Sequence, residues 1–169
     1  MIGRRAAGML FGLALSCGAA AAVSQQATPT PALPPTGMLK SGGLFLVTGD
    51  RAVFTIGVDG HATLAGVGRA PSQADQKGPT DGLNAGQVSF ALTSGAQGNT
   101  MLTVSSRAAT PLRYQARIVG IRDGKVVSAL TSTCPVRSGM SSFENWPQAL
   151  PAVVILSVDQ AQPDDTACR

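Results

Sequence analysis

Along most of the chain, apolar residues alternate with polar ones instead of recurring at helical spacing. Leu44-Phe45-Leu46-Val47 is a short apolar run that ends at Gly49-Asp50. Within Val53–Val58 the side chains of Phe54, Ile56 and Val58 fall on one face of an extended chain, the period-two signature of a half-buried strand. Asp59-Gly60 then offers a two-residue type I′ hairpin, which needs positive φ at both central positions, and His61–Ala65 is the return strand. Val88, Phe90 and Leu92 alternate in the next strand, and Met101–Ser105 makes another. Tyr114–Ile121 is long and well patterned, Asp123-Gly124 repeats the hairpin signal, and Val126–Thr131 returns. Ala152–Val158 is almost continuously apolar, as a central buried strand should be.

These segments predict an all-β fold, a two-sheet antiparallel sandwich of about seven or eight strands. Two stretches show no clear period. Gly66–Gly86 carries five glycines, two prolines and several polar residues, and reads as a long connection that is functional or mobile. Pro135–Pro151 holds Phe143, Glu144 and Trp146, and the pattern suggests a short helical turn over Ser141–Trp146 with Ser141 or Ser142 as N-cap.

Composition sharpens this picture. Of 169 residues 44% are hydrophobic but only 13% are charged, about half the usual charged share. Such a chain is too apolar and too weakly charged for intrinsic disorder. Glu144 is the only Glu, and Lys40, Lys77 and Lys125 are the only lysines, so a large helical protein is also excluded. Aromatics are 4% and basic residues are scattered, which excludes a nucleic-acid partner.

The N-terminus reads as an address. Arg4 and Arg5 precede the apolar run Ala6–Leu15, too short for a bilayer span, and residues 1–22 are expected to be an export signal peptide. Ala20-Ala21-Ala22 offers one cleavage site. Cys17, preceded by Leu13-Ala14-Leu15-Ser16, offers the alternative of lipoprotein processing, since that stretch resembles a bacterial lipobox. Membrane contact is therefore expected only through the signal peptide or a lipid at Cys17. Loss of Arg4 and Arg5 leaves eleven basic against nine acidic residues, a net charge of +2. Residues 23–37, with Pro29, Pro31, Pro34 and Pro35, read as an extended tether, and residues 38–169 as a single domain. Once Cys17 is set aside, Cys134 and Cys168 remain. An even pair in an oxidising compartment implies one disulfide, because no CxxC or zinc-ligand spacing is present.

The sandwich resembles an immunoglobulin-type domain in two places. Tyr114-Gln115-Ala116 sits where such domains carry a corner tyrosine, although Ala116 stands where antibody domains have Cys, and Cys134 and Trp146 are twelve residues apart. The resemblance implies a fold and no function.

Candidate chemistry is sparse. Glu144 reads as a surface acid or helix-start charge beside a packing tryptophan rather than as a catalytic carboxylate. His61 follows a turn, and a Ser–His–Asp site built on it would draw on Asp59 or Asp50, yet no G-x-S-x-G elbow nominates a serine. Asp164-Asp165 lacks the further oxygen ligands of a cation site. No phosphate loop or dinucleotide motif calls for a cofactor. Phe143 and Trp146, with Pro147 and Pro151, are the concentrated aromatic feature, either an anchor for a protein partner or a cover for one end of the core. The expectation is a non-enzymatic binding or structural module in the periplasm or envelope of a bacterium, with a protein partner there. The alternatives are a self-assembling fimbria-like subunit and an unrecognised periplasmic hydrolase.

Overall fold

A computed structural model describes residues 31–72, 75 and 77–169. The expected export segment, Cys17 and the first part of the expected tether lie outside these residues. Ten strands form: β1 (Gly37–Met38), β2 (Leu44–Val47), β3 (Asp50–Ile56), β4 (Ala62–Arg69), β5 (Gln87–Ser94), β6 (Thr100–Ser106), β7 (Leu112–Arg122), β8 (Lys125–Thr131), β9 (Met140–Trp146) and β10 (Ala152–Gln160). They make two antiparallel five-stranded sheets. Sheet A has the order β1-β2-β10-β7-β8 and sheet B the order β4-β3-β5-β6-β9.

Alternation assigns the core. Val88, Phe90 and Leu92 from β5, Leu102 and Val104 from β6, and Phe54 from β3 face Leu44, Leu46, Tyr114, Ala116, Val153 and Ile155 of sheet A. Phe54 and Phe90 meet edge to face at 5.9 Å between ring centroids, and Phe90 and Tyr114 at 5.4 Å. The expected central strand is β10, flanked by β2 and β7, with Ala152, Val153 and Ile155 buried. A second small cluster lies on the other face of sheet A, where Leu33 and Leu39 pack with Phe45, Val119 and Ala152. Thr36 fixes this N-terminal segment: its hydroxyl donates to Asp50 Oδ2 at 2.7 Å and accepts from the Val47 N–H at 2.9 Å.

Four local expectations change. The sandwich has ten strands, not seven or eight. Residues 140–146 form strand β9 instead of a helical turn, because β6 offers a full open edge and Met140–Trp146 pairs with it from Ser106 to Thr100. Much of the first unassigned stretch is strand: β4 runs through Gly66 and Gly68 to Arg69, past a bulge opposite Val53 and Phe54. Glycines disguise an edge strand of this kind, since it needs little apolar content. The Asp59-Gly60 turn is a longer loop, in which Gly57 N–H donates to His61 O and Gly60 N–H to Gly57 O, so Val58 is exposed. Asp123-Gly124 does form the two-residue turn, with φ of 51° and 71°.

Cys134 and Cys168 form a disulfide, with Cα atoms 4.1 Å apart. The bond has company. Thr133 and Arg169 exchange two backbone hydrogen bonds, of 2.7 and 3.0 Å. Arg113 donates through Nε to Asp165 Oδ2 at 2.9 Å and through a terminal nitrogen to the Ala167 carbonyl at 2.9 Å. Closing 34 residues of chain contributes about 3–4 kcal/mol on the chain-entropy account. The Cys134→Ser/Cys168→Ser double variant is expected to lose about that much in chemical denaturation. It should keep its β-sheet circular dichroism, because neither cysteine lies in a strand.

Candidate functional site

Strand β9 carries both aromatic candidates, and its pleat separates them. Ser142, Glu144 and Trp146 turn toward the interior, while Ser141, Phe143 and Asn145 turn out. Trp146 packs against the main core and donates its indole N–H to Thr131 Oγ1 of β8 at 3.2 Å. Phe143 is 61% exposed.

Glu144 is a clamp. Its Oε1 accepts from the Tyr114 hydroxyl at 3.2 Å and from the Cys134 backbone N–H at 3.0 Å. One carboxylate oxygen thus joins β7 of sheet A, β9 of sheet B and the connection that bears the disulfide. The Tyr114 carbonyl also accepts from the Thr133 hydroxyl at 2.5 Å. Burial, and then the negative charge of Glu144, push the Tyr114 phenol well above its ordinary range, so it stays a protonated donor. Here Glu144 differs from the surface or helix-start acid that the sequence suggested. The Tyr114 hydroxyl is spent on this side chain, and the disulfide ties down the C-terminal tail.

The other candidates do not assemble. Asp50 and His61 lie at opposite ends of the β3–β4 hairpin, whose paired ends are Asp50–Arg69 and Ile56–Ala62. Asp50 accepts from Thr36, and Asp59 accepts from the His61 backbone N–H at 3.0 Å. Asp165 is held by Arg113. Among the described residues no three His, Cys, Asp or Glu side chains come together as metal ligands.

The geometry that sequence reading missed is on the outer face of sheet B. Residues 70–72 and 77–86 lie along this face. Ser141 Oγ donates to the Pro79 carbonyl at 2.7 Å, Arg51 to the Asp81 carbonyl at 3.3 Å, and Arg107 to the Leu83 carbonyl at 2.8 Å. Burial lowers the pKa of the Arg51 guanidinium, with the Asp81 charge opposing that shift. Two cavities open beside the crossing. One, of about 580 Å³, lies between Lys77-Gly78-Pro79 and Phe143, over Met101 and Thr103. The other, of about 610 Å³, is lined by Gly49, Ala70, Pro71, Ala91, Thr93 and Asn99 and shares Met101 and Thr103 with the first. Together they make a trough with Phe143 on its rim. A signal for it exists in the sequence: the outward positions of β5 and β6 are Ser89, Ala91, Thr93, Met101, Thr103 and Ser105, mostly small, as close chain passage requires.

Comparison with known protein families, characterised proteins and solved structures finds no match to the chain.

Two outcomes follow from the clamp and the tail. Glu144→Leu strands the buried Tyr114 hydroxyl and the partly buried Cys134 N–H and is expected to destabilise the domain by about 2–4 kcal/mol. Glu144→Gln keeps an acceptor and should cost only about 1 kcal/mol, both read by urea titration. The hydrogen bonds from Arg113, with the nearby charges of Arg113 and Arg169, hold the Asp165 carboxyl below its ordinary value of 3.8. A lowered folded-state pKa means that the tail contact contributes above about pH 4 and is lost as pH falls through the folded value. Amide protection of residues 165–169 should therefore persist at pH 5 and be lost only on acidification below the ordinary carboxylate range, while Asp165→Asn removes that dependence.

Proposed function

We propose that this chain is an exported, non-enzymatic module of a bacterial envelope that engages a protein partner at the trough rim, with Phe143 as anchor. One observation carries the reading: a largely exposed aromatic on an edge strand stands over a cavity of about 580 Å³. Aromatic side chains are enriched in the buried centres of protein interfaces, where they fill pockets of the partner. Trp146 supports that strand from beneath, with its indole N–H already bonded to Thr131. Export is supported by the apolar run behind Arg4 and Arg5 and by the Cys134–Cys168 disulfide. The non-enzymatic reading rests on Glu144 being occupied by Tyr114 and Cys134 and on the separation of His61 from Asp50.

A photo-crosslinking residue at position 143 tests this in cells. The expected result is one discrete adduct in the envelope fraction, on a protein that has lost at least residues 1–16. The same probe at Lys40, in the turn between β1 and β2, should not give it. No adduct at 143, the same adduct from Lys40, or full-length protein in the cytoplasm would each contradict the reading.

A further inference from the structure

Strand β8 is an edge strand left open to pairing. Lys125–Thr131 pairs with β7 on one side, and no strand among the described residues pairs with the other. In a two-residue hairpin the residues flanking the turn, Arg122 and Lys125, form a hydrogen-bonded pair. Alternation then directs the backbone N–H and C=O groups of Val126, Ser128 and Leu130 outward, away from β7.

The other edges are protected, and this one is not. β1 is two residues long, β4 carries Gly66 and Gly68 and a bulge, and β9 points the charged Glu144 inward. β8 has seven residues in unbroken register, with no Pro and no Gly, and one Lys at its end. Its side chains are apolar and exposed: Leu130 is 66% and Val126 51% accessible, and Ile121 of β7 lies directly across from Val126. The charge of the hairpin is mostly positive. The hairpin from Arg117 to Thr131 carries Arg117, Arg122 and Lys125 against a single acid, Asp123. Arg117 sits across from Leu130, and its buried Nε–H has no hydrogen-bond partner among the described residues.

We propose that β8 accepts an extended segment of a partner protein as an added antiparallel strand, and that this segment alternates acidic with β-branched residues. Its backbone would complete the hydrogen bonds of Val126, Ser128 and Leu130, its apolar side chains would cover Val126, Leu130 and Ile121 on one face, and its carboxylates would meet Arg122 and Lys125 on the other. The excess of positive charge disfavours a second copy of the same edge as occupant. This inference does not depend on the trough at Phe143.

The probe is a peptide of about nine residues alternating Asp or Glu with Val, long enough to span β8, titrated into the full domain and followed by backbone amide NMR. The expected result is saturable binding that protects the amides of Val126, Ser128 and Leu130 from exchange. Ser128→Pro deletes one outward donor without removing a bond to β7 and should abolish binding while the spectrum stays folded. Arg122→Glu/Lys125→Glu should weaken binding about tenfold. A matched Lys–Val peptide should bind poorly. Four results overturn the proposal. These are no binding by the wild-type domain, equal binding by Ser128→Pro, a dimer in sedimentation that Ser128→Pro dissociates, or protection of these amides by the chain's own N-terminal residues before peptide is added.

Discussion

One carboxylate oxygen, Glu144 Oε1, sets the geometry of the side of the sandwich formed by β7, β8 and β9. It accepts from a phenol on sheet A and from the backbone of the β8–β9 connection, while riding on the last strand of sheet B. In a protein with one Glu, this partly buried link fixes the strand that carries it. Once Glu144 must point inward, the pleat sends Phe143 outward and Trp146 back toward Thr131. The exposed aromatic is thus a consequence of the clamp beneath it.

Both outer faces of the sandwich are partly covered by chain that is not strand. Leu33 and Leu39 lie over Phe45, Val119 and Ala152 on sheet A, and residues 70–72 and 77–86 lie over sheet B. This explains why Ser89, Ala91, Thr103 and Ser105 are buried although they point away from the core. Small side chains let the crossing chain approach closely, and what the crossing leaves open is the trough. The tail is secured in the same economical way, by Arg113, by two backbone hydrogen bonds at Thr133 and by the disulfide.

The strands that were legible in the sequence are those with an inner face to fill. Phe90, Leu92 and Val153 report their burial through simple alternation or a continuous apolar run. The second half of β4, Gly66–Arg69, and β9 were illegible for a different reason. As edges they bury little, so Gly66, Gly68, Ser141 and Asn145 carry no periodic apolar signal, and only pairing with β3 and β6 makes them strands. The candidate site shows the same division. Phe143 and Trp146 were visible as residues, but their opposite directions depend on a strand assignment that the flanking prolines obscured. The Tyr114–Glu144 bond spans 30 residues of sequence and Arg113–Asp165 spans 52, distances at which residue type alone points to no partner.

The most direct test of the clamp is native-state hydrogen exchange at a single amide, that of Cys134. This N–H lies outside every strand, and its bond is to the Glu144 carboxylate. If Glu144 joins the two sheets, the Cys134 amide should exchange as slowly as the amides of β7 and β10, opening only with global unfolding. Exchange at the rate of an exposed loop, in a domain whose β7 and β10 amides remain protected, would contradict the account.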